Sequence, residues 1–495
     1  MPQLRDSGTR SLHASEPVPS AEMDGFCRIF GVETEYGVSV TGASKPVDAG
    51  QVAMTMFQPV VSRSRSTNTY LDNGSRLYLD VGSHPEYATA EARDPREALA
   101  QDLAGEQVMR NLALKAQRKL RETHGERAMI HVFKNNVDSA GHAFGCHENY
   151  LVRRFVPLET IEHQLLPFLI TRQLFTGAGR MTPDGFQITQ RADFLDEAVS
   201  SATTRSRPMV NTRDEPHADP DSFRRLHVII GDSNRSQWAT WMKLAVTHLV
   251  LCVIEDAFRN EVPSGFEDYA FADPAAANRA VSRFPDNSHA ELALESGESV
   301  TALDLQRRYY AAVEAFITNH DDALAGSLPV TGIKTVMGEW HRALDALDHG
   351  EYDALADRVD WAAKKRLFDA LRNRRPDVAF VQLEQLELDY HDIANGRLYG
   401  SLTSRNQLRE LLTSNDVAIA VHNPPTDTRA ALRGQFVRAA LAAGAQFSAD
   451  WTHLTVSAPE RREAVLLDPF ESEPTEEFTQ LMGVLPHGSD EPVQA

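Results

Sequence analysis

The run Arg76-Leu77-Tyr78-Leu79-Asp80-Val81 constrains the fold more than any other part of the chain, because polar and apolar residues alternate along it with a period of two. That is the period of a β-strand. Leu77, Leu79 and Val81 fall on one face, which can be buried. Arg76, Tyr78 and Asp80 fall on the other, alternate residues lying about 7 Å apart. Gly82-Ser83-His84-Pro85 breaks the strand, and Glu86, Thr89 and Glu91 follow within reach. A cation, a phenol and a carboxylate in a row suit work on an anionic, metal-bound substrate. They equally suit the solvated face of an ordinary antiparallel strand.

Ile29 to Val40 reads as a first strand with the same period. Val32, Thr34, Tyr36 and Val38 share one face, Glu33 and Glu35 the other. Two carboxylates side by side repel, so this face is either solvated or holds a cation between them. Gly145 to Val152 is a further strand with His147 and Asn149 on one face and Glu148 and Tyr150 on the other; His147 is a ligand, a phosphate contact or simply structural. Five arginines, Arg205, Arg207, Arg213, Arg224 and Arg225, fall within about twenty residues, in and just after a hydroxyl-rich segment. In a chain of net charge −20, that clustering points to a focused anion site. His227 follows on the strand Arg224–Gly231, facing away from Leu226, Val228 and Ile230.

The acidic balance argues against broad nucleic-acid binding. No apolar run reaches the roughly 18 residues of a membrane span, the nearest, Leu244 to Ile254, being interrupted by Thr247 and His248. Cys27, Cys146 and Cys252 are far apart, which argues for a reducing, cytoplasmic compartment and against a disulfide framework.

Residues 1–25 lack an apolar core and are expected to form a disordered extension. A main body is expected over 26–420, a small C-terminal α+β domain over 421–470 after Asn423-Pro424-Pro425, and a loose acidic tail over 471–495. Asp94-Pro95-Arg96-Glu97 predicts a helix start, with an amphipathic helix to about Thr123. Gly42–Thr69 is expected to be a polar connection around a short apolar piece, Val52–Val61, and Gln382–Asp392 a mixture of strand and turn. Taken together, carboxylates on antiparallel strands without a glycine-rich phosphate loop predict a metal–nucleotide site built on a sheet.

Several long runs carry a resemblance. They are Gly31–Gly37 (Gly-Val-Glu-Thr-Glu-Tyr-Gly), Arg76–Glu91, Phe133–Gly141, Gly145–Leu151 and Ser200–Pro208 (Ser-Ser-Ala-Thr-Thr-Arg-Ser-Arg-Pro). The chain resembles the Pup–protein ligases of actinobacteria from about Arg28 to Phe470, a family related to glutamine synthetase and other carboxylate–amine ligases. The resemblance implies an α+β fold: a glutamine synthetase-like curved antiparallel sheet packed with helices, plus a small C-terminal domain. It implies ATP and Mg²⁺ as cofactors, and as partners Pup, a small, largely disordered modifier, and lysine-bearing target proteins. Position by position, it assigns Glu33, Tyr78 and Glu86 to magnesium, Arg76, Thr89 and Trp451 to ATP, and Asp80 to the catalytic base. His147, Arg205, Arg207, Arg225 and His227 are further candidates for phosphate or Pup-glutamate contact. The alternative within the family is the deamidase/depupylase branch, with the same fold and the reverse chemistry. That branch carries a longer insertion where this chain has only the 46 residues (34–79) between Glu33 and Asp80, which favours the ligase. Since Pup is itself acidic, affinity for it is expected to weaken as salt screens the local arginines; a flat or tightening binding curve across a salt titration would contradict this.

Overall fold

Eight strands form one sheet in the computed structural model. The structure describes residues 25–79, 84–138, 141–201, 207–284, 288–324, 326–458 and 460–485. The strands are β1 (Phe30–Glu35), β2 (Asn68–Tyr70), β3 (Arg76–Leu79), β4 (Pro85–Ala88), β5 (Cys146–Arg153), β6 (Glu197–Ser200), β7 (Pro208–Asn211) and β8 (Phe223–Val228). Their order across the sheet is β6-β7-β8-β5-β1-β4-β3-β2. Every pairing is antiparallel except β6 with β7.

One face of the sheet is apolar. Phe30 and Val32 of β1, Cys146, Tyr150 and Val152 of β5, and Leu226 and Val228 of β8 pack into the main core. The helix Gln237–Arg259 runs through this core and is buried over most of its length; Ser236 caps it, accepting a hydrogen bond from the Ala239 N–H at 3.1 Å. Glu148 also points inward and stays there because Arg172 pairs with it at 2.6 Å and Tyr150 donates its hydroxyl proton to it.

A second core forms where the helix Pro95–His124 crosses the sheet, gathering Tyr36, Leu77, Tyr87, Met109, Ala113 and Ile130. The helix begins at the predicted cap: the Asp94 carboxylate accepts from the Arg96 N–H at 2.8 Å, and also from Val330 and Thr331.

Some expectations fail for identifiable reasons. The run Ile29–Val40 is not one strand; after Glu35 the chain turns Tyr36 into the second core, and Gly37–Thr41 pairs with Met129–Phe133 in a separate two-stranded sheet. Ala49–Ser64 is a helix rather than a polar connection. Asp48 caps it, it buries Val52, Ala53, Met56 and Phe57, and it tolerates Pro59 in its interior. Phe380–His391 is helical as well, with Leu383, Glu387 and Tyr390 buried along one face. Near the C-terminus, helix Ala430–Ala442 packs on a three-stranded sheet of Phe447–Ala449, His453–Val456 and Arg462–Val465. The first two of these strands are parted by a turn in which Asp450 accepts from the Thr452 and His453 N–H groups. The expected loose tail is not loose over 476–483, which form a helix whose Phe478 and Leu481 complete this small core. No helix among the described residues is long and apolar enough to cross a membrane.

Gly105 lies where the long helix meets Tyr87, and a Cβ there would stand 2.4 Å from the ring. Alanine normally stabilises a helix interior over glycine by about 1 kcal/mol, but forcing a methyl into a filled core costs roughly 1–3 kcal/mol. Gly105→Ala is therefore expected to lower the thermal midpoint. A raised midpoint in a melting experiment would mean that Tyr87 gives way freely.

Candidate active site

Residues directly opposite on antiparallel strands project to the same face, so the register fixes what meets what. Glu33 stands opposite His147 on one side and Ala88 on the other, and Glu35 opposite Glu86. Glu86 is opposite Tyr78, Tyr78 opposite Asn68, and Asn149 opposite His227. The polar face of the sheet thus gathers Glu33, Glu35, Glu86, Tyr78, Arg76, His147, Asn149, Arg225 and His227 from five strands.

Glu33 is the hub. His147 Nδ1 lies 3.3 Å and His227 Nε2 3.7 Å from its Oε2, and Arg225 reaches Oε1 at 3.4 Å while donating to Asn149 at 3.0 Å. Burial alone would raise the Glu33 carboxyl, but the hydrogen bond to His147 and the neighbouring charges outweigh it and hold the group well below the usual carboxylate range. Burial takes His227 down to about 3, so its ring is neutral at physiological pH and the permanent positive charge beside Glu33 is that of Arg225. The His227 Nε2 is buried without a hydrogen-bond partner. For Tyr78, burial first, then the charges of Glu86 and Glu33, push the phenol far above its usual range, so it offers a neutral hydroxyl. Arg76 stacks its guanidinium 4.1 Å from the Tyr78 ring centroid and donates to Asn68 at 2.9 Å.

Two sets of donors on this face could hold a cation. Ligand atoms of Glu33, His147 and His227 lie within 4.8 Å of one another, as do those of Glu35, Glu86 and His147. Space for that convergence comes from Gly145, where a Cβ would lie 2.3 Å from His147 Nε2 and 2.9 Å from Glu35 Oε1. Carboxylate oxygens suit a hard divalent ion such as Mg²⁺, and three of them on adjacent strands make the donor set a fit for one.

Beside this face lies a cleft of about 550 Å³ of open space. Its floor is the Ile29–Val32 segment with Asn149 and Leu151, and its walls include Thr89, Glu91, Arg225, His217 and Trp451. Thr89 holds the floor in place, its hydroxyl accepting from the Val32 N–H at 3.0 Å. Trp451 comes from the turn between two strands of the C-terminal unit and meets Tyr70 of β2 edge-on at 5.2 Å. A flat apolar slot that leads to carboxylates and an arginine can take a heterocyclic base at one end and phosphates at the other.

Of the residues singled out from the sequence, Glu33, Arg76, Tyr78, Glu86, His147, Arg225 and His227 share the sheet face, and Thr89 and Trp451 line the cleft. Asp80 and Arg205 lie outside the described residues. Among the described residues the expected arginine cluster does not converge: Arg207 is exposed, Arg213 pairs with Glu215 at 2.7 Å, and Arg224 turns to the Val156 carbonyl. Adjacent residues on a strand point to opposite faces, which is why Arg225 joins the site and Arg224 does not. Sequence reading left Glu35 either solvated or sharing a cation with Glu33, and the family positions did not include it. It missed Asn149 as the partner of Arg225, and it passed over Arg191, a buried cation whose field includes Glu35. Only the register, or the fold of a distant loop, brings these in.

Carboxylates and imidazoles on an antiparallel sheet, beside a cleft walled by an indole from a separate C-terminal unit, define an α+β enzyme with its site on the sheet face. The chain belongs to the Pup-ligase protein family, which it matches over residues 28–455. It is 87% identical to the Pup–protein ligase of Bifidobacterium longum subsp. infantis, and 65% identical to that of Bifidobacterium dentium, in each case over 98% of this chain and 100% of the relative. Among solved structures it is similar to the ligase PafA in complex with the prokaryotic ubiquitin-like protein Pup, with 36% identity, a TM-score of 0.84 and coverage of 94% of this chain and 93% of that one. It is also similar to PafA in complex with ADP, with 37% identity, a TM-score of 0.76 and coverage of 89% and 95%.

Glu86→Gln is expected to weaken binding of Mn²⁺, used as a probe for the carboxylate set, by roughly tenfold or more, as removal of a charged ligand should. An electron paramagnetic resonance titration reads this directly, and an unchanged isotherm would detach Glu86 from any cation.

Proposed function

We propose that the protein is an ATP-dependent ligase that joins the γ-carboxylate of the C-terminal glutamate of Pup to a lysine of a target protein, marking the target for proteasomal degradation. The observation that carries this reading is the extent of the family match, which spans both the sheet face with Glu33, Tyr78 and Glu86 and the turn with Trp451. Four curated ligases of Bifidobacterium longum and Bifidobacterium dentium, 65–87% identical over nearly the whole chain, support it further.

A carboxylate is a poor electrophile and must be activated. The glutamate oxygen attacks the γ-phosphorus of ATP, ADP departs, and an acyl phosphate forms. The lysine nitrogen then attacks the acyl carbon, phosphate departs, and an isopeptide bond remains. A lysine ammonium with an ordinary pKa of about 10.4 is not a nucleophile, so it must first lose a proton. Asp80 is assigned to accept that proton.

The residues of the chain divide the remaining work. Trp451, Thr89 and the Ile29–Val32 segment hold the base of ATP in the cleft. Arg76 and Arg225 meet phosphate oxygens with guanidinium donors. Glu33 and Glu86, with Glu35 added by the geometry, would hold Mg²⁺, and the neutral Tyr78 hydroxyl would orient Glu86. Mg²⁺, when bound there, draws charge from the phosphate oxygens and so favours phosphoryl transfer. His147 and His227 fix Glu33 by position. Arg205 and Arg207 are left as candidates for phosphate or Pup-glutamate contact. Residues 26–420 form the catalytic domain in this reading, and the unit from 421 onward covers the nucleotide. Three unpaired cysteines fit a cytoplasmic location.

Incubating the protein with ATP, Mg²⁺, Pup ending in glutamate and a lysine-bearing target is expected to produce a Pup–target conjugate. Loss of a preformed conjugate under the same conditions would instead identify a depupylase. Asp80→Asn is expected to keep ATP and Pup binding while losing conjugation by about 10²-fold or more; full activity in that variant would remove Asp80 from the reaction.

A further inference from the structure

Glu91 closes the stretch that carries Arg76 and Tyr78, and it is buried. Both of its oxygens are taken by arginines of the C-terminal unit: Arg429 Nε at 2.8 Å and Arg433 Nη1 at 3.1 Å share one, and Arg433 Nη2 donates to the other. Burial would raise the Glu91 carboxyl, but the two guanidiniums bring it down to about 2, so the ion triad persists across the physiological range.

Each arginine continues to one wall of the cleft. Arg429 Nη2 donates to the His217 carbonyl at 2.5 Å. That residue has φ +48°, a left-handed backbone that a non-glycine residue keeps only under constraint. Arg433 does not line the cleft. It donates to the Gly74 carbonyl at 2.9 Å and to the Trp451 carbonyl at 3.3 Å, and its guanidinium carbon lies 4.9 Å from the Trp451 ring centroid and 5.6 Å from that of Tyr70. One guanidinium thus binds the indole residue by its backbone and by its ring, and ties both to the turn before β3.

We propose that Arg433, anchored by Glu91, is a positioning residue for the nucleotide, acting through Trp451 without touching the substrate. It sets the distance between the C-terminal unit and the sheet, and so the width of the slot that receives the base. This rests on the nucleotide reading given above.

The test is a double-mutant cycle on the full-length chain with Arg433→Lys, Trp451→Ala and the pair, scored as KM for ATP, KM for Pup and kcat in the conjugation assay. Lysine keeps the charge but loses the fork and the stacking. Expected results are a rise in KM for ATP of about tenfold in Arg433→Lys, with KM for Pup and kcat little changed, and no further rise when it is added to Trp451→Ala. If Arg433→Lys melts below assay temperature, Glu91→Asp, which keeps the charges and shortens the reach, enters the same cycle. An equal rise in the Trp451→Ala background, or a loss confined to kcat, overturns the role of Arg433 while leaving the nucleotide in the cleft. If Trp451→Ala alone leaves KM for ATP unchanged, the nucleotide is elsewhere and the inference falls with that reading.

Discussion

Cross-strand register is the constraint from which the site follows. The pairing of Glu33 with His147 and of Glu35 with Glu86 places carboxylates and imidazoles on one face and Phe30, Val32, Tyr150 and Leu226 on the other. A slip of one residue would drive Glu33 into the core and Val32 into water. Both consequences are costly, one as an unpaired buried charge and the other as lost apolar burial. The chemistry of the site is therefore secured by the packing behind it, above all by the buried helix Gln237–Arg259.

The second requirement is the joint between the sheet and the C-terminal unit. Gly74, with φ +77°, brings the turn before β3 so close to helix Ala430–Ala442 that a Cβ there would stand 2.9 Å from the Ala430 carbonyl oxygen. Gly434 on the helix returns the fit, since a Cβ there would meet the Asp72 carbonyl oxygen at 2.5 Å. Asn73 between them donates to Tyr87 and to the Ala420 carbonyl. Two glycines let the backbones touch, and the Glu91 triad fills the polar space next to them. Together they bring Trp451 to the cleft.

Charge is distributed with similar economy. The chain carries −20 overall, yet Arg225, Arg429, Arg433 and the stacked Arg76 surround the cleft and sheet face. Several are buried or half-buried, where their field is poorly screened. The carboxylates Glu33, Glu35, Glu86 and Glu91 offset these cations, so an anionic ligand would be held by individual guanidinium donors rather than by a net positive field. Burial keeps His217 and His227 neutral, at about 4 and about 3, so they add polar edges without adding charge.

The sequence by itself determined the parts that depend on period and on local chemistry. Alternation revealed which face Arg76, Tyr78, Glu33 and His147 occupy, and the capping residue Asp94 marked the start of the long helix, because these signals act over one or two turns of chain. The family runs reached further than physics alone could, to Thr89 and Trp451. What only the tertiary structure decided were the meetings between distant segments: Glu35 with Glu86, Arg225 with Asn149, Glu91 with Arg429 and Arg433. Helix Ala49–Ser64 and helix Phe380–His391 were hidden for the same reason, since a proline in one and an acidic run in the other speak against what their apolar contacts with remote residues then stabilise. Local propensity is written in neighbouring residues, whereas burial and ion pairing are settled by residues that the chain brings together from hundreds of positions away.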